Sequence, residues 1–278
     1  MQMLNDRVVV VTGASRGIGK GIALSLGTAG ATVYVTGRSS ADQPGAVPLP
    51  GTVDETASEI KQRGGVGIPV RCDHRNDAET EQLFERIMDE RGRLDVLVNN
   101  AWAGYEGLHD GSDFPLDQKF WQRRLDYWDV NLFGLRTAYV ASVCASRIMV
   151  KQRNGLIVCI SHRIRPDQFG SPAYHIAKTA TDRLAAEMAH DLRDEGVATV
   201  SIYPGLVRTE GIMKYAEYID LSHSESPEYV GRAVVALAGD PDIHGKTGQH
   251  LWGCDLAREY NFTDIDGSQP VPDWRAAG

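Results

Sequence analysis

A β-branched run, Val8-Val-Val-Val11, meets Thr12-Gly-Ala-Ser-Arg-Gly-Ile-Gly19 with no residue between them. Ile18, Ile22 and Leu26 then recur every fourth residue. The first run fits a strand buried on both faces, and the fourfold repeat fits a helix with one face against a sheet. Strand, glycine turn and helix in direct succession commit the chain to a βαβ beginning. Gly13 permits the tight turn, Gly17 lets backbone approach a pyrophosphate, and Gly19 lets helix and strand pack closely. A helix start offers N–H groups and a positive dipole end to phosphates. Ser15, Arg16 and Ile18 lie in the same turn. A dinucleotide is therefore expected here, with a bare glycine turn as the alternative.

The next strand, Thr32–Thr36, ends in Gly37-Arg38-Ser39. A free ribose 2′-hydroxyl is usually met at this place by Asp or Glu. Here the position holds Arg38, and Arg16 is a second guanidinium nearby in the fold expected. Arginine forks match the oxygens of a 2′-phosphate, so NADP(H) is favoured over NAD(H). Asp42, a few residues on, is the one acid placed to argue otherwise.

Further apolar strands are expected at 67–72, 96–99, 156–160, 199–203 and 249–252, with helical patterns between them. Repeated βαβ units give a parallel sheet covered on both faces. Pro69 falls in the third strand. Proline belongs on an edge, and the order 3-2-1-4-5-6-7 puts that strand at an edge. Residues 39–53 break the rhythm with proline and glycine. They could cover the adenosine end of a cofactor, but the composition favours an exposed insertion. Residues 101–118 and 206–226 follow strand carboxyl ends, where open parallel sheets bind ligands, and are expected to wall a substrate site. Residues 256–278 read as a C-terminal extension of one domain spanning 1–278.

Tyr174 and Lys178 stand one helical turn apart on the same face, and Ser161 closes the apolar run Leu156–Ile160. A hydroxyl, a phenol and an ammonium could converge on one carbonyl oxygen. The ammonium would favour the phenolate, so the phenol could give or take a proton near neutral pH. Alone, a Tyr-x-x-x-Lys pair is common by chance; its weight comes from the glycine turn. Trp102, Tyr105, Phe114 and Trp121 would make an aromatic cleft, or belong to the core. His162, Arg163 and Arg165 read as solvated loop charges, with a cationic pocket edge as the alternative.

Together these motifs resemble the short-chain dehydrogenase/reductase family over about residues 5–255, in the family's order. Asn99-Asn-Ala-Trp-Ala-Gly104 resembles its Asn-Asn-Ala-Gly signature with two extra residues before the glycine. The resemblance implies that Asn131, Ser161, Tyr174 and Lys178 are catalytic, with Asn131 positioning a water beside the lysine. It implies that Asn100, Tyr174, Lys178 and the segment Pro204, Gly205, Val207 and Thr209 contact the cofactor. Asp73 resembles an adenine-contacting aspartate, and capping the following helix is the equal alternative. The family commonly pairs through the helices expected at 119–152 and 172–195, which implies a homodimer or homotetramer. The implied activity is hydride transfer between nicotinamide and a small-molecule carbonyl or alcohol. A non-catalytic dinucleotide-binding protein on the same fold is the competing reading.

Composition sets the outer limits. Hydrophobic residues make up 42% and charged residues 24% of 278, enough for a substantial core. The apolar runs fall far short of the ~18 residues a membrane helix needs. No signal-peptide pattern opens the chain, so a cytoplasmic protein is expected. A net charge of −8 argues against nucleic acid and anionic membranes as partners. Four cysteines, Cys72, Cys144, Cys159 and Cys254, lie far apart and suggest buried thiols, and the eight histidines have no metal-ligand spacing.

Overall fold

The computed structural model describes residues 3–45, 47–104, 118–164 and 171–272. Seven parallel strands form one sheet in the order β3-β2-β1-β4-β5-β6-β7, as the sequence leads one to expect. They are β1 (Val8–Val11), β2 (Thr32–Gly37), β3 (Val66–Arg71), β4 (Val96–Asn99), β5 (Gly155–Ile160), β6 (Val197–Tyr203) and β7 (His250–Trp252). β3 is an edge strand, and Pro69 sits within it, paired to Val35. Val9 pairs with Val33 of β2 on one side and Val96 of β4 on the other. Strand order reverses at that point, and the crevice beyond it is where such sheets take ligands.

Helices α1 (Gly17–Thr28), α2 (Val53–Gln62), α7 (Pro227–Gly239) and α8 (Gly253–Glu259) bury one face of the sheet; α3 (Asp77–Arg91), α4 (Asp126–Gln152) and α5 (Pro172–Leu192) bury the other. A short α6 (Glu210–Met213) follows β6. Val9 and Val11 point into the first core, Val8 and Val10 into the second, as the two-residue period of a strand requires. α1 and α7 approach backbone to backbone: a Cβ on Gly21 would lie 2.2 Å from the Pro227 carbonyl carbon.

Helix starts are set locally. α2 opens with a capping box in which the Thr52 hydroxyl accepts from the Glu55 N–H and the Glu55 carboxylate accepts from the Thr52 N–H. Asn76 caps α3, so Asp73 is not that helix's cap. Ser171 caps α5 with Pro172 in its first turn, which fixes the helix that carries Tyr174 and Lys178. α1 differs, because its N-cap residue Arg16 gives no side-chain cap and the first N–H groups stay available to an anion. Among the described residues no helix is long and apolar enough to cross a membrane.

Candidate active site

The glycine turn is held from behind. Asn100 donates its side-chain amide to the carbonyls of Thr12 (2.9 Å) and Gly13 (3.0 Å), and the Thr12 hydroxyl accepts from the N–H groups of Asn100 and Ala101. Gly13 and Gly17 have φ of 66° and 57°, a region costly to any side chain. At Gly19 a Cβ would lie 2.3 Å from the Gly13 carbonyl oxygen. This is a cradle that only glycine leaves open. Ser15 is buried beside it, and Ile18 packs against the core. An anion already stands in the cradle: the Gly17 N–H donates to the Glu210 carboxylate at 2.8 Å. Thr209, which caps α6, brings its methyl group to Gly17. A helix start that takes a carboxylate has the chemistry to take a phosphate.

Cations gather at the ends of β2 and β3. Desolvation lowers the pKa of both Arg16 and Arg38, and Arg38 feels the charges of Arg75 and Arg16 as well as that of Asp73. Arg75 is paired to Asp73 at 2.7 Å. Asp73 is therefore engaged by an arginine two residues on, a partner the sequence reading did not consider. Arg16 donates to the carbonyls of Pro50 (2.9 Å) and Gly51 (2.8 Å) and to the Ser39 hydroxyl (3.0 Å). Lys214 donates to the Pro48 carbonyl at 3.0 Å. The described part of the 39–53 loop is thus tied to the glycine turn at Ser39, Pro50 and Gly51, while residues 41–44, Pro48 and Pro50 stay exposed, as expected of an insertion.

Ser161, Tyr174 and Lys178 come together where β5 ends against α5. Ser161 is buried and its hydroxyl donates to the Lys178 carbonyl at 3.1 Å; the Lys178 ammonium donates to the Ile160 carbonyl at 3.2 Å. These reciprocal bonds lock strand end to helix. Loss of hydration brings the Lys178 pKa down to about 8, opposed by the negative charge of Asp182. Asn131 is fully buried on α4; its amide donates to the Tyr127 carbonyl at 2.8 Å, and its oxygen finds no hydrogen-bond partner among the described residues. Trp102 reaches into this cluster. Its ring lies 5.3 Å from that of Tyr174, and the Lys178 ammonium is 5.0 Å from the indole centroid.

His162 belongs here too: its ring is 6.0 Å from Tyr174. Arg163 fits the expected solvated loop charge, being exposed. Arg165, Tyr105 and Phe114 lie outside the described residues, as do most of 101–118 and the tail from 273. Trp121 is 70% exposed and meets Phe120 edge to face, so it neither walls the site nor joins the core.

Pro204, Gly205 and Val207 lead away from β6 toward Thr209, with Val207 bridged to Glu225. Two carboxylates here escaped the sequence reading. Glu210 gave no signal beyond following Thr209. Glu225 is 1% exposed against Gly205, and burial pushes its carboxyl up to about 8. Nothing in Ser-Glu-Ser marks it for the interior. All four cysteines are free and buried, and among the described residues no group of three ligating side chains could hold a metal ion.

A doubly wound sheet of this order, with a glycine cradle at its switch point and Ser, Tyr and Lys gathered at β5 and α5, describes a nucleotide-linked oxidoreductase of short-chain type. The chain belongs to that family: the short chain dehydrogenase model matches residues 7–219. It is 42% identical over 290 residues to dehydrogenase/reductase SDR family member 1 of Mus musculus, covering 99% of this chain and 88% of the relative. The fold resembles a short chain dehydrogenase of Mycobacterium thermoresistibile, with TM-score 0.80 and 26% identity over 97% of this chain and 92% of the other. It also resembles a metagenomic short-chain oxidoreductase in complex with NADP, with TM-score 0.68 and 26% identity over 86% and 94%.

Proposed function

We propose that the protein is an NADP(H)-dependent oxidoreductase that moves hydride between nicotinamide and the carbonyl or secondary alcohol of a small, apolar substrate. One observation carries the reading: Tyr174 and Lys178 meet at Trp102 while Ser161 is pinned to the same helix turn. When bound, the cofactor supplies the hydride. The glycine turn, with N–H groups at the start of α1, would hold its pyrophosphate. Arg38 and Arg16 would hold the 2′-phosphate, with Arg75 nearby and Asp73 toward the adenine. The Pro204–Thr209 segment and Lys178 would hold the nicotinamide end.

Ser161 and Tyr174 orient the substrate oxygen and stabilise the charge it gains. Tyr174 gives that oxygen its proton in reduction and takes it back in oxidation. Lys178 favours the phenolate by its charge, and Asp182 helps keep that charge in place. Asn131 is proposed to act through Lys178, with its buried oxygen beside Gly104 and Trp102. Exposed Trp128, Tyr139 and Ile176 on α4 and α5 support pairing with a second copy through these helices. A panel of ketones, aldehydes and quinones, followed by NADPH absorbance with NADH in parallel, tests the reading. Turnover of at least one carbonyl with NADPH preferred is expected. No turnover together with no dinucleotide binding would contradict it.

A further inference from the structure

The two extra residues in Asn-Asn-Ala-Trp-Ala-Gly place a large side chain beside the reacting groups, and glycines are cut away to receive it. A Cβ on Gly134 of α4 would lie 2.2 Å from Trp102 Cδ1, and one on Gly104 would lie 2.1 Å from Trp102 Cζ2. The same Gly104 position would meet Asn131 Oδ1 at 2.6 Å, so the indole edge and the unpartnered asparagine oxygen share one small space. The indole also meets Lys178 and Tyr174. Behind it a cavity of about 20 Å³ is lined by Lys178, Thr181, Asn99 and Ala177, among others, and Asn131 is not in the lining. That volume is of the order a single water occupies.

We propose that Trp102 is a positioning residue that fills the space between Asn131 and Lys178, shields the ammonium from bulk water and fixes the Tyr174 ring for the carbonyl. This rests on the oxidoreductase reading above. A ring face toward a cation attracts it and excludes water at once. Among the described residues the titratable groups acting on Lys178 are Asp182 on its own helix and Cys159 on β5, with Tyr174 against the same indole. Desolvation is the largest influence on its protonation, so opening the indole side readmits water and raises the pKa.

The test uses Trp102→Ala, Trp102→Phe, Gly134→Ala and the double variant Trp102→Ala/Gly134→Ala. Alanine favours a helix over glycine, so harm from Gly134→Ala comes from displacing the indole. Trp102→Ala is expected to lower kcat at least tenfold and to move the alkaline limb of its pH profile upward, while Trp102→Phe keeps both near wild type. Gly134→Ala should reproduce the alanine phenotype, and the double variant should be no worse than Trp102→Ala alone. A readout independent of turnover is the limiting rate of Lys178 modification by trinitrobenzenesulfonate, taken from a pH series at the plateau where the amine is unprotonated in every variant and followed by mass spectrometry. It is expected to rise at least fivefold in Trp102→Ala with the unfolding midpoint and NADPH binding retained. Additive losses in the double variant, an unmoved pH limb or unchanged Lys178 labelling would each overturn the proposal. If wild type turns over no carbonyl and binds no dinucleotide, the oxidoreductase reading fails, and the labelling ratio still decides whether Trp102 shields Lys178.

Discussion

The carboxylate of Glu210 accepts a hydrogen bond of 2.8 Å from the backbone N–H of Gly17, the first residue of α1. An acid from the chain after β6 therefore occupies an N–H that a diphosphate would use. Neutralising it removes a competitor for that donor. Hydrogen bonds to charged groups contribute roughly 1.5–3 kcal/mol, part of which the displaced acid recovers in water. Glu210→Gln is expected to tighten NADPH binding by about three- to tenfold, read by titration calorimetry. Equal or weaker binding would show that the contact does not compete.

The guanidinium of Arg38 lies in a field made positive by Arg16 and Arg75 and offset by Asp73. A phosphate dianion entering that field gains from every arginine, whereas a hydroxyl does not. Arg38→Ala is expected to weaken NADPH binding on the order of 10- to 100-fold and to leave NADH binding within about threefold. Equal losses for both nucleotides would mean that Arg38 reads something other than the 2′-phosphate.

Two buried groups narrow the pH range of stability from opposite sides. His74 is buried against Thr36, Cys72 and Thr80, and desolvation brings its pKa down to about 4. The unfolded chain binds that proton near pH 6.5 and the folded chain only near 4, so stability falls as pH drops between those values. Glu225 is raised to about 8 from 4.5, so the folded chain holds its proton longer and stability falls as pH rises through that interval. The effect is on the order of 3 kcal/mol at most for His74 and about 5 kcal/mol at most for Glu225. Urea unfolding of Glu225→Gln is expected to lose less stability between pH 5 and 8.5 than wild type, and His74→Gln less between pH 6.5 and 4.5. A slope unchanged in either variant would remove that residue from the account.

The glycine cradle makes a steric prediction. A methyl group at Gly19 would collide with the Gly13 carbonyl oxygen and, at 2.4 Å, with Asn100 Nδ2. Backbone cannot give way as a side-chain tip can. Gly19→Ala is expected to abolish measurable NADPH binding and to cost at least about 2 kcal/mol in unfolding free energy. Binding within threefold of wild type would show that the turn relaxes.

Sheet order and the cofactor turn were legible because their signals are local and periodic. Val8–Val11, the glycine spacing and Pro69 each report on their own backbone, and each lies where its chemistry requires. Tyr174 and Lys178 were legible for the same reason, being one turn apart on a helix. The contributions that escaped are tertiary. Glu210 reaches across 193 residues to Gly17, and Glu225 is buried among neighbours that no spacing announces. Composition registers the exposed proline- and glycine-rich 39–53 loop but not the three bonds by which Arg16 anchors it at Ser39, Pro50 and Gly51. The aromatic character of Trp121 suits a cleft or the core, and the chain exposes it instead.

The phenol of Tyr174 is the centre of the account, and removing one oxygen tests it. Positioned general acids contribute about 10²- to 10⁴-fold. NADPH oxidation with the best carbonyl of the panel should fall by that factor in Tyr174→Phe, while the NADPH dissociation constant stays within about threefold of wild type. Turnover persisting near the wild-type rate, with the cofactor still bound, would contradict the mechanism.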